Sequence, residues 1–425
     1  MKTTANNIIH DLKFRSFVTG FKAESAALWF LCIYIFFEYI RPQGMYRVLD
    51  FLPWGQLSIL FCLASVFATN SKAIGFGAMD KMFILLSLIV FMSMVFAWNS
   101  NVSFKYWSTI ASWLIMYYCV VSILTTPNKI LLFTIFFLII NFKLSSHGAR
   151  VFAMRGFSFS SYGLSGSPGW FHNSGEFGLQ MVVAFSISLS LLLRLKEYVS
   201  EIKRWRVLIV LFPVTAALSV IGSSTRGGQI AFLVVALGLL VKREHLFRTV
   251  LYLSVVLSIV FFFLPDAQME RFETMGEDRT SQLRLMHWKN ALDVIDKNPM
   301  GIGYKNWIPY YDTIYRPEVV QEIHNTVLQA FVELGYMGGG LFLLMLLVSF
   351  IMNSRTKSEM EKIGGVDGKS IAAIASGVSF GLLGTFIASL FMSVLYYPMF
   401  WLGFAMTSAL RHISKNKLKE FKKNL

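Results

Sequence analysis

Residues 82–98 read MFILLSLIVFMSMVFAW, a run without a charged side chain. A helix needs about 20 apolar residues to cross the roughly 30 Å of hydrocarbon in a bilayer, and in lipid its backbone must satisfy its own hydrogen bonds. This run fits that requirement, and so does a second apolar stretch, Leu246–Leu264. The first prediction is therefore an integral membrane protein built from α-helices.

The composition of the whole chain supports this prediction, because 55% of its 425 residues are hydrophobic and only 15% are charged. A soluble domain carries charge on about a quarter of its residues. The net charge of +15 does not indicate a nucleic-acid partner, since the basic residues adjoin apolar segments, as in Arg194–Arg206 and Arg411–Lys423. Basic residues flank transmembrane helices in this way on the cytoplasmic side of a membrane.

The fold class that we predict is an all-α integral membrane protein with about 12 transmembrane helices. The predicted spans cover residues 25–40, 56–69, 82–98, 106–124, 128–142, 177–194, 207–222, 228–241, 246–264, 326–350, 371–391 and 394–410. The first span is expected to be retained, because no small-residue cleavage site follows it. The last two segments, residues 371–410, could instead form one full span and a re-entrant piece.

The charges of the loops give these spans an orientation. With a cytoplasmic N-terminus, the dense basic clusters fall in cytoplasmic loops, which include 195–206, 351–370 and the C-terminal tail. Both termini are then cytoplasmic, and the two longest loops, 143–176 and 265–325, face the opposite side. The predicted domains are a bundle of spans 1–9 (1–264), a large, partly helical outer loop before the tenth span (265–325), and spans 10–12 with a basic tail (326–425).

The outer loop 265–325 and its end carry candidate chemistry. Apolar residues recur at helical spacing from Thr280 to Asp296, which predicts a helix, and Asn298-Pro-Met-Gly-Ile-Gly303 is expected to end it. His324 follows, directly before a span, and an imidazole there can take a proton from a hydroxyl. A purely structural histidine is the alternative interpretation.

Arg226 lies at the same predicted side, in Ser223-Ser-Thr-Arg-Gly-Gly228. A guanidinium offers a planar fork of donors that suits phosphate oxygens, and the N-terminus of the helix that follows favours an anion. Arg226 with Arg284 could therefore hold a diphosphate at the outer leaflet. The alternative is snorkelling to lipid headgroups or a structural salt bridge. No zinc-protease motif, phosphate-binding loop or dinucleotide fingerprint is present, so direct use of ATP is not indicated.

Several motifs occur together in a fixed order. They are Ser-Thr-Arg-Gly-Gly (224–228), Arg284-x-x-x-Trp288, Asn298-Pro-x-Gly-x-Gly303, His324-Asn325 and Glu333-x-Gly335. This ordered set resembles the O-antigen ligase and O-antigen polymerase superfamily of bacterial polytopic glycosyltransferases. The stretch Glu-Tyr-Ile-Arg-Pro-Gln (38–43) also resembles the branch linked to exopolysaccharides.

The resemblance implies a multi-pass protein of the bacterial inner membrane with a periplasmic active site and no metal or other cofactor. Its donor would be a glycan on undecaprenyl diphosphate, and its acceptor a hydroxyl of a lipid A-core sugar, a growing polysaccharide or a protein. Carried over by position, Arg226 and Arg284 bind the diphosphate, and His324 deprotonates or orients the acceptor hydroxyl. Candidate contacts to donor or acceptor are Asn325, Asn173, His172 and Trp288. His172 and Glu176 beside Asn173 depart from a simple match to the family pattern.

Two alternatives stay open from the sequence. The first is a polymerase of the same superfamily, which uses the same donor chemistry with another acceptor. The second is a flippase for lipid-linked glycans, which would be a transporter without chemistry. A flippase is expected to show repeated halves and charged residues deep in its spans, whereas here the polar residues concentrate on one side.

Overall fold

The computed structural model describes residues 14–69, 76–159, 163–199, 203–241 and 279–423. Every regular element in these ranges is a helix, which confirms the all-α prediction for the part of the chain described. The helices are α1 (Phe14–Lys22), α2 (Ala26–Tyr39), α3 (Pro42–Met45), α4 (Trp54–Ala68), α5 (Ala78–Val95), α6 (Ser100–Lys105), α7 (Trp107–Ile123), α8 (Pro127–Met154), α9 (Ser174–Val199), α10 (Lys203–Gly222), α11 (Arg226–Leu240), α12 (Arg279–Lys297), α13 (Trp307–Tyr315), α14 (Thr326–Ile363), α15 (Gly365–Ser389) and α16 (Pro398–Lys423).

Five of these helices are long and apolar enough to cross a membrane, namely α5, α8, α9, α14 and α15. Four shorter apolar helices are α4, α7, the Ile209–Gly222 part of α10, and α11. All nine overlap predicted spans. The predicted span 246–264 lies outside the described residues, so the count of twelve spans, the orientation and the domain boundaries stay predictions.

Several predicted boundaries differ from the structure. The first part of the loop expected at 143–176 is helical, because α8 continues to Met154, and α16 continues beyond 410 to Lys423. The loop expected at 351–370 is mostly helical, because α14 continues to Ile363 through residues that favour helix, such as methionine, lysine and glutamate. Gly364, with a φ of 69°, then separates α14 from α15. At the other end of α15, residues 390–397 are non-helical and α16 begins at Pro398. The last two predicted segments therefore lie in two separate helices, α15 and α16, and whether both cross the membrane stays a prediction.

The helices α9 and α15 form the centre of the bundle, and α9 also packs against α10 and α8. Small residues bring α9 and α15 together: a Cβ on Gly377 would lie 2.7 Å from the Cα of Ile187. Ser186 Oγ donates to the Gly377 carbonyl at 2.9 Å across the same contact. Close backbone approach through small residues is a common way for helices to associate in membranes.

Two helices lie outside the bundle, α12 and α13, and we call them the outer helices. They pack on the first turns of α14. They share a small core separate from that of the bundle, formed by Ala291, Val294, Ile295, Ile302, Trp307, Tyr311, Ile323 and Val332. The helix predicted for Thr280 to Asp296 is confirmed as α12, and it ends before Asn298 as expected. The helix α13 was not predicted.

The segment after α12 is tied to a kink in α14. At Gly335, where φ is 67°, the regular hydrogen bonding of α14 is broken. The backbone after Asn298 fills the gap: Tyr336 N donates to Pro299 O at 3.0 Å, and Gly303 N donates to Glu333 O at 3.0 Å. Two motifs that are about thirty residues apart in sequence, Asn298-Pro-x-Gly-x-Gly303 and Glu333-x-Gly335, therefore form one interlock between the outer helices and the bundle.

Candidate active site

The candidate site is organised around residues 390–397, the connector between α15 and α16. Ser393 Oγ accepts a hydrogen bond from His324 N at 3.0 Å. Thr326 Oγ1 donates to Met392 O at 2.7 Å and accepts from Val394 N at 2.9 Å. These three bonds fix the connector against the start of α14 and against the histidine that precedes it.

The extended segment before α14 is held from its other side by two indoles. Trp288 Nε1 donates to Ile323 O at 2.9 Å, and Trp307 Nε1 donates to Gln321 O at 2.9 Å. Ile323 is fully buried in the small outer core, whereas Glu322 and His324, on either side of it, are only half-buried. Glu322 and His324 therefore each keep part of the side chain exposed, on either side of the buried Ile323.

His324 has an unusual backbone and an unusual electrostatic environment. Its φ of 55° is left-handed, which is uncommon for a residue other than glycine and marks a constrained position. Burial, the charge of Arg284 and the proximity of His287 together lower the pKa of His324 to about 4. The imidazole is therefore neutral at pH 7, and in the free protein it is a weaker base than an ordinary histidine. Burial lowers the pKa of His287 as well.

The start of α11 lies at the other end of the connector. Arg226 is the first residue of α11, and Ser224 just before it has a φ of 56°. A Cβ on Gly227 would lie 3.0 Å from Phe391 Cδ2, so this glycine lets α11 approach the connector closely. The sequence thereby brings the Arg226 backbone to the same end of the bundle as His324.

The start of α9 reaches the connector too. A Cβ on Gly175 would lie 2.6 Å from the sulfur of Met392. Asn173 and His172, just before it, are exposed: Asn173 Oδ1 accepts from Gly175 N at 3.0 Å, and His172 Nδ1 lies 2.7 Å from Gly169 O. Tyr397, in the connector, donates from its hydroxyl to Glu176 Oε1 at 3.3 Å.

The structure thus gathers the candidate residues at one end of the bundle, in two groups. His324, Arg284 and Trp288 lie on the side of the outer helices, and Arg226, His172 and Asn173 lie where α9 and α11 begin. Two of the candidate residues form hydrogen bonds with the backbone. Trp288 donates to the Ile323 carbonyl, and Asn325 Oδ1 accepts from Leu328 N at 3.1 Å and caps α14.

The connector and two charged residues beside it were not predicted as site residues from the sequence. Lys305 has a φ of 60° and its ammonium lies 5.4 Å from the centre of the Tyr396 ring. Burial raises the pKa of Glu322, and the ammonium of Lys305 opposes that shift. Their positions gave a weak signal, since Lys305 follows the glycine motif by two residues and Glu322 precedes His324 by two. Among the residues that the structure describes, no group of three or more His, Cys, Asp or Glu side chains could hold a metal ion.

A helical bundle with five helices long and apolar enough to cross a membrane is the architecture of a multi-pass membrane protein. Residues 211–343 match the family model described as O-antigen ligase. This match confirms the resemblance to the O-antigen ligase and polymerase superfamily over these residues, and together with the apolar helices it indicates a multi-pass bacterial membrane protein. The match includes Arg226, Arg284 and His324, while His172 and Asn173 lie outside it. No curated protein matches the chain.

Proposed function

We propose that this protein transfers a glycan from an undecaprenyl-diphosphate carrier to an acceptor hydroxyl at the periplasmic face of the bacterial inner membrane. The match to the O-antigen ligase family supports glycan transfer of this kind. The observation that carries the assignment of the site is a half-buried, neutral imidazole at His324 beside the cation of Arg284. A neutral base next to a fixed cation is what the attack of a hydroxyl on a diphosphate-activated sugar requires.

The reaction follows from these groups. The acceptor oxygen forms a bond to the anomeric carbon of the donor, and the bond from that carbon to the diphosphate oxygen breaks. The diphosphate leaves with the bonding electron pair and remains on the lipid carrier, while the hydroxyl proton passes to His324. The guanidinium groups of Arg226 and Arg284 stabilise the charge that develops on the leaving oxygens.

Donor binding and basicity are coupled in this scheme. Burial is the largest cause of the low pKa of His324 in the free protein, and the charge of Arg284 adds to it. A diphosphate bound at Arg284 offsets that charge and therefore raises the pKa of His324 towards its ordinary value. The base becomes stronger when the donor is in place, which favours proton transfer only in the productive complex.

The first test uses single substitutions in cells. His324→Ala and Arg226→Ala are expected to abolish glycan transfer while expression and membrane insertion stay normal. Arg355→Ala is a matched control, because Arg355 is exposed near the opposite end of α14 and is expected to retain transfer. Normal product from the His324→Ala strain would overturn the assignment of the base.

The second test separates the alternatives through the glycans of a deletion strain. Long-chain polymer left on the lipid carrier would identify a ligase, and single repeat units on the carrier would identify a polymerase of the same superfamily. Lipid-linked units retained in the cytoplasmic leaflet would instead identify a flippase. The clustering of Arg284, His324 and Glu322 at one end of the bundle favours a transferase over a transporter.

A further inference from the structure

Trp170 and Tyr397 form an aromatic pair beside the candidate active site. Their ring centres are 4.9 Å apart at an angle of 64°, and both side chains are only half-buried. Trp113 fixes the pair from behind, because its ring lies 5.8 Å from that of Trp170 and its Nε1 donates to Tyr396 O at 3.1 Å. The exposed parts of Trp170 and Tyr397 therefore present a rigid aromatic surface.

The Glu-Tyr-Ile-Arg-Pro-Gln motif at 38–43 builds the loop that carries Trp170. Trp170 Nε1 donates to the carboxylate of Glu38, and Ser167 Oγ donates to Tyr39 O at 2.5 Å. Gly169, with a φ of 94°, packs directly against the Arg41 side chain, where no Cβ would fit. This motif holds Trp170 in place and has no other role in the mechanism above, so Glu38 is a positioning residue for the aromatic surface.

Two carboxylates flank the aromatic pair. Glu176 accepts from the Tyr397 hydroxyl through Oε1, while its Oε2 is buried and has no hydrogen-bond partner among the described residues. Glu322 interacts electrostatically with the same hydroxyl. Carboxylate oxygens thus lie beside the aromatic pair, and Glu176 and Glu322 each keep part of the side chain exposed.

Charges of both signs surround the site. Arginines supply cations at the starts of α11 and α12, where a diphosphate is attracted, whereas Glu176 and Glu322 lie beside the aromatic pair, with Lys305 near Glu322. Carboxylates accept hydrogen bonds from hydroxyl groups, and aromatic rings bury apolar surface at low entropic cost. A sugar offers both features, because its hydroxyls lie at the rim of the ring and its C–H bonds form an apolar face.

We propose that Trp170, Tyr397, Glu176 and Glu322 form a binding site for the acceptor sugar, next to His324. The identity of the sugar as the acceptor rests on the proposed function, but the presence of a sugar-binding site does not depend on transfer. In this arrangement the sugar ring stacks on the aromatic pair, its hydroxyls donate to the two carboxylates, and one hydroxyl points towards the imidazole. The donor sugar lies on the arginine side, beside its diphosphate.

The binding arm of the test uses purified protein without donor. The probe is the mixture of oligosaccharides released by mild acid from cells of a deletion strain, in which unused acceptor accumulates. Calorimetry is expected to show binding to the unaltered protein, at least tenfold weaker binding to Trp170→Ala and Glu322→Gln, and near-normal binding to Trp170→Phe. Trp107→Ala is the matched control, because Trp107 is 58% exposed and lies outside the site. Absence of binding to the unaltered protein, or equal binding by Trp170→Ala, would overturn the proposal.

The kinetic arm distinguishes acceptor from donor. With the lipid-linked glycan as donor, Trp170→Ala is expected to raise the KM for acceptor at least tenfold and to change the KM for donor less than twofold. A rise in the donor KM alone would assign the aromatic pair to the donor glycan and overturn the proposal. Probe binding that depends on Trp170 without any transfer would leave the sugar site standing while the proposed function fails. Melting curves in detergent check that each variant is folded. If Trp170→Ala is unstable, the same binding and KM measurements on Glu322→Gln test the proposal.

Discussion

Replacing Gly335 by alanine should release the outer helices from the bundle. Gly335 has φ 67° and ψ −173°, a combination that is essentially restricted to glycine. A Cβ at this position would lie 2.6 Å from Pro299 O. The obstacle is a backbone atom within the interlock, so no side chain can rotate to make room.

The cost of this substitution can be worked from the geometry. Holding a residue other than glycine in this backbone conformation costs about 1–3 kcal/mol. Relieving the clash breaks the bonds from Tyr336 N to Pro299 O and from Ile302 N to Val332 O. Each such bond contributes about 0.5–1.5 kcal/mol net. The sum is on the order of 2–6 kcal/mol, a large part of the stability of a typical domain.

The assay is thermal unfolding of the purified protein in detergent, with glycan transfer as a second measurement. Gly340→Ala is the matched control, since a Cβ on Gly340 in the same helix would meet nothing within 4 Å. The control should melt at the same or a higher temperature, because alanine favours helix over glycine by about 1 kcal/mol. Gly335→Ala should melt well below it and lose transfer. Equal melting temperatures for the two variants would refute the interlock.

Three further predictions test the electrostatics, the support and the orientation of the site. Because the pKa of His324 is lowered to about 4, the transfer rate at limiting donor should stay constant as the pH falls through 6.5 and should decline only near pH 4. At saturating donor, the decline at acid pH should begin at a higher pH. A decline near pH 6.5 at limiting donor would contradict the lowered pKa. Trp288→Phe removes the bond to Ile323 O and should lower stability by about 1 kcal/mol and slow transfer, so an unchanged melting curve would argue against this support. The native cysteines are buried, so an impermeant maleimide should react only with an introduced cysteine. It should label Met300→Cys, at a position that is 83% exposed, in intact cells, and Lys419→Cys only after permeabilisation. The reverse labelling pattern would show the opposite topology.

Local features of the fold were predictable because they depend on periodicity and on helix-breaking residues. Apolar spacing from Thr280 to Asp296 predicted α12 within two residues of its observed ends, and the proline and glycines after Asn298 end it as expected. The extension of α14 to Ile363 was missed because its last turns are polar. A polar helix that continues beyond an apolar one has the same composition as a loop, so hydropathy alone does not separate them.

The candidate site was predictable only as a set of residue types. His324 and Arg284 do share one environment, but the sequence had no means to show that Trp288 bonds the backbone beside His324. An indole that supports the chain and an indole that contacts a sugar look alike in sequence. The interlock of Gly303 with Glu333 depends on backbone hydrogen bonds between distant segments, and such pairing leaves no local pattern.

Release of the lipid carrier by purified protein in liposomes tests most directly whether the protein transfers a glycan from undecaprenyl diphosphate. The vesicles would contain the glycan on undecaprenyl diphosphate, with acceptor oligosaccharide supplied on the side that bears His324. We expect one molecule of free undecaprenyl diphosphate for each glycan joined to the acceptor, and no release with His324→Ala. Movement of intact donor across the bilayer without carrier release, or equal release by the His324→Ala protein, would contradict this expectation.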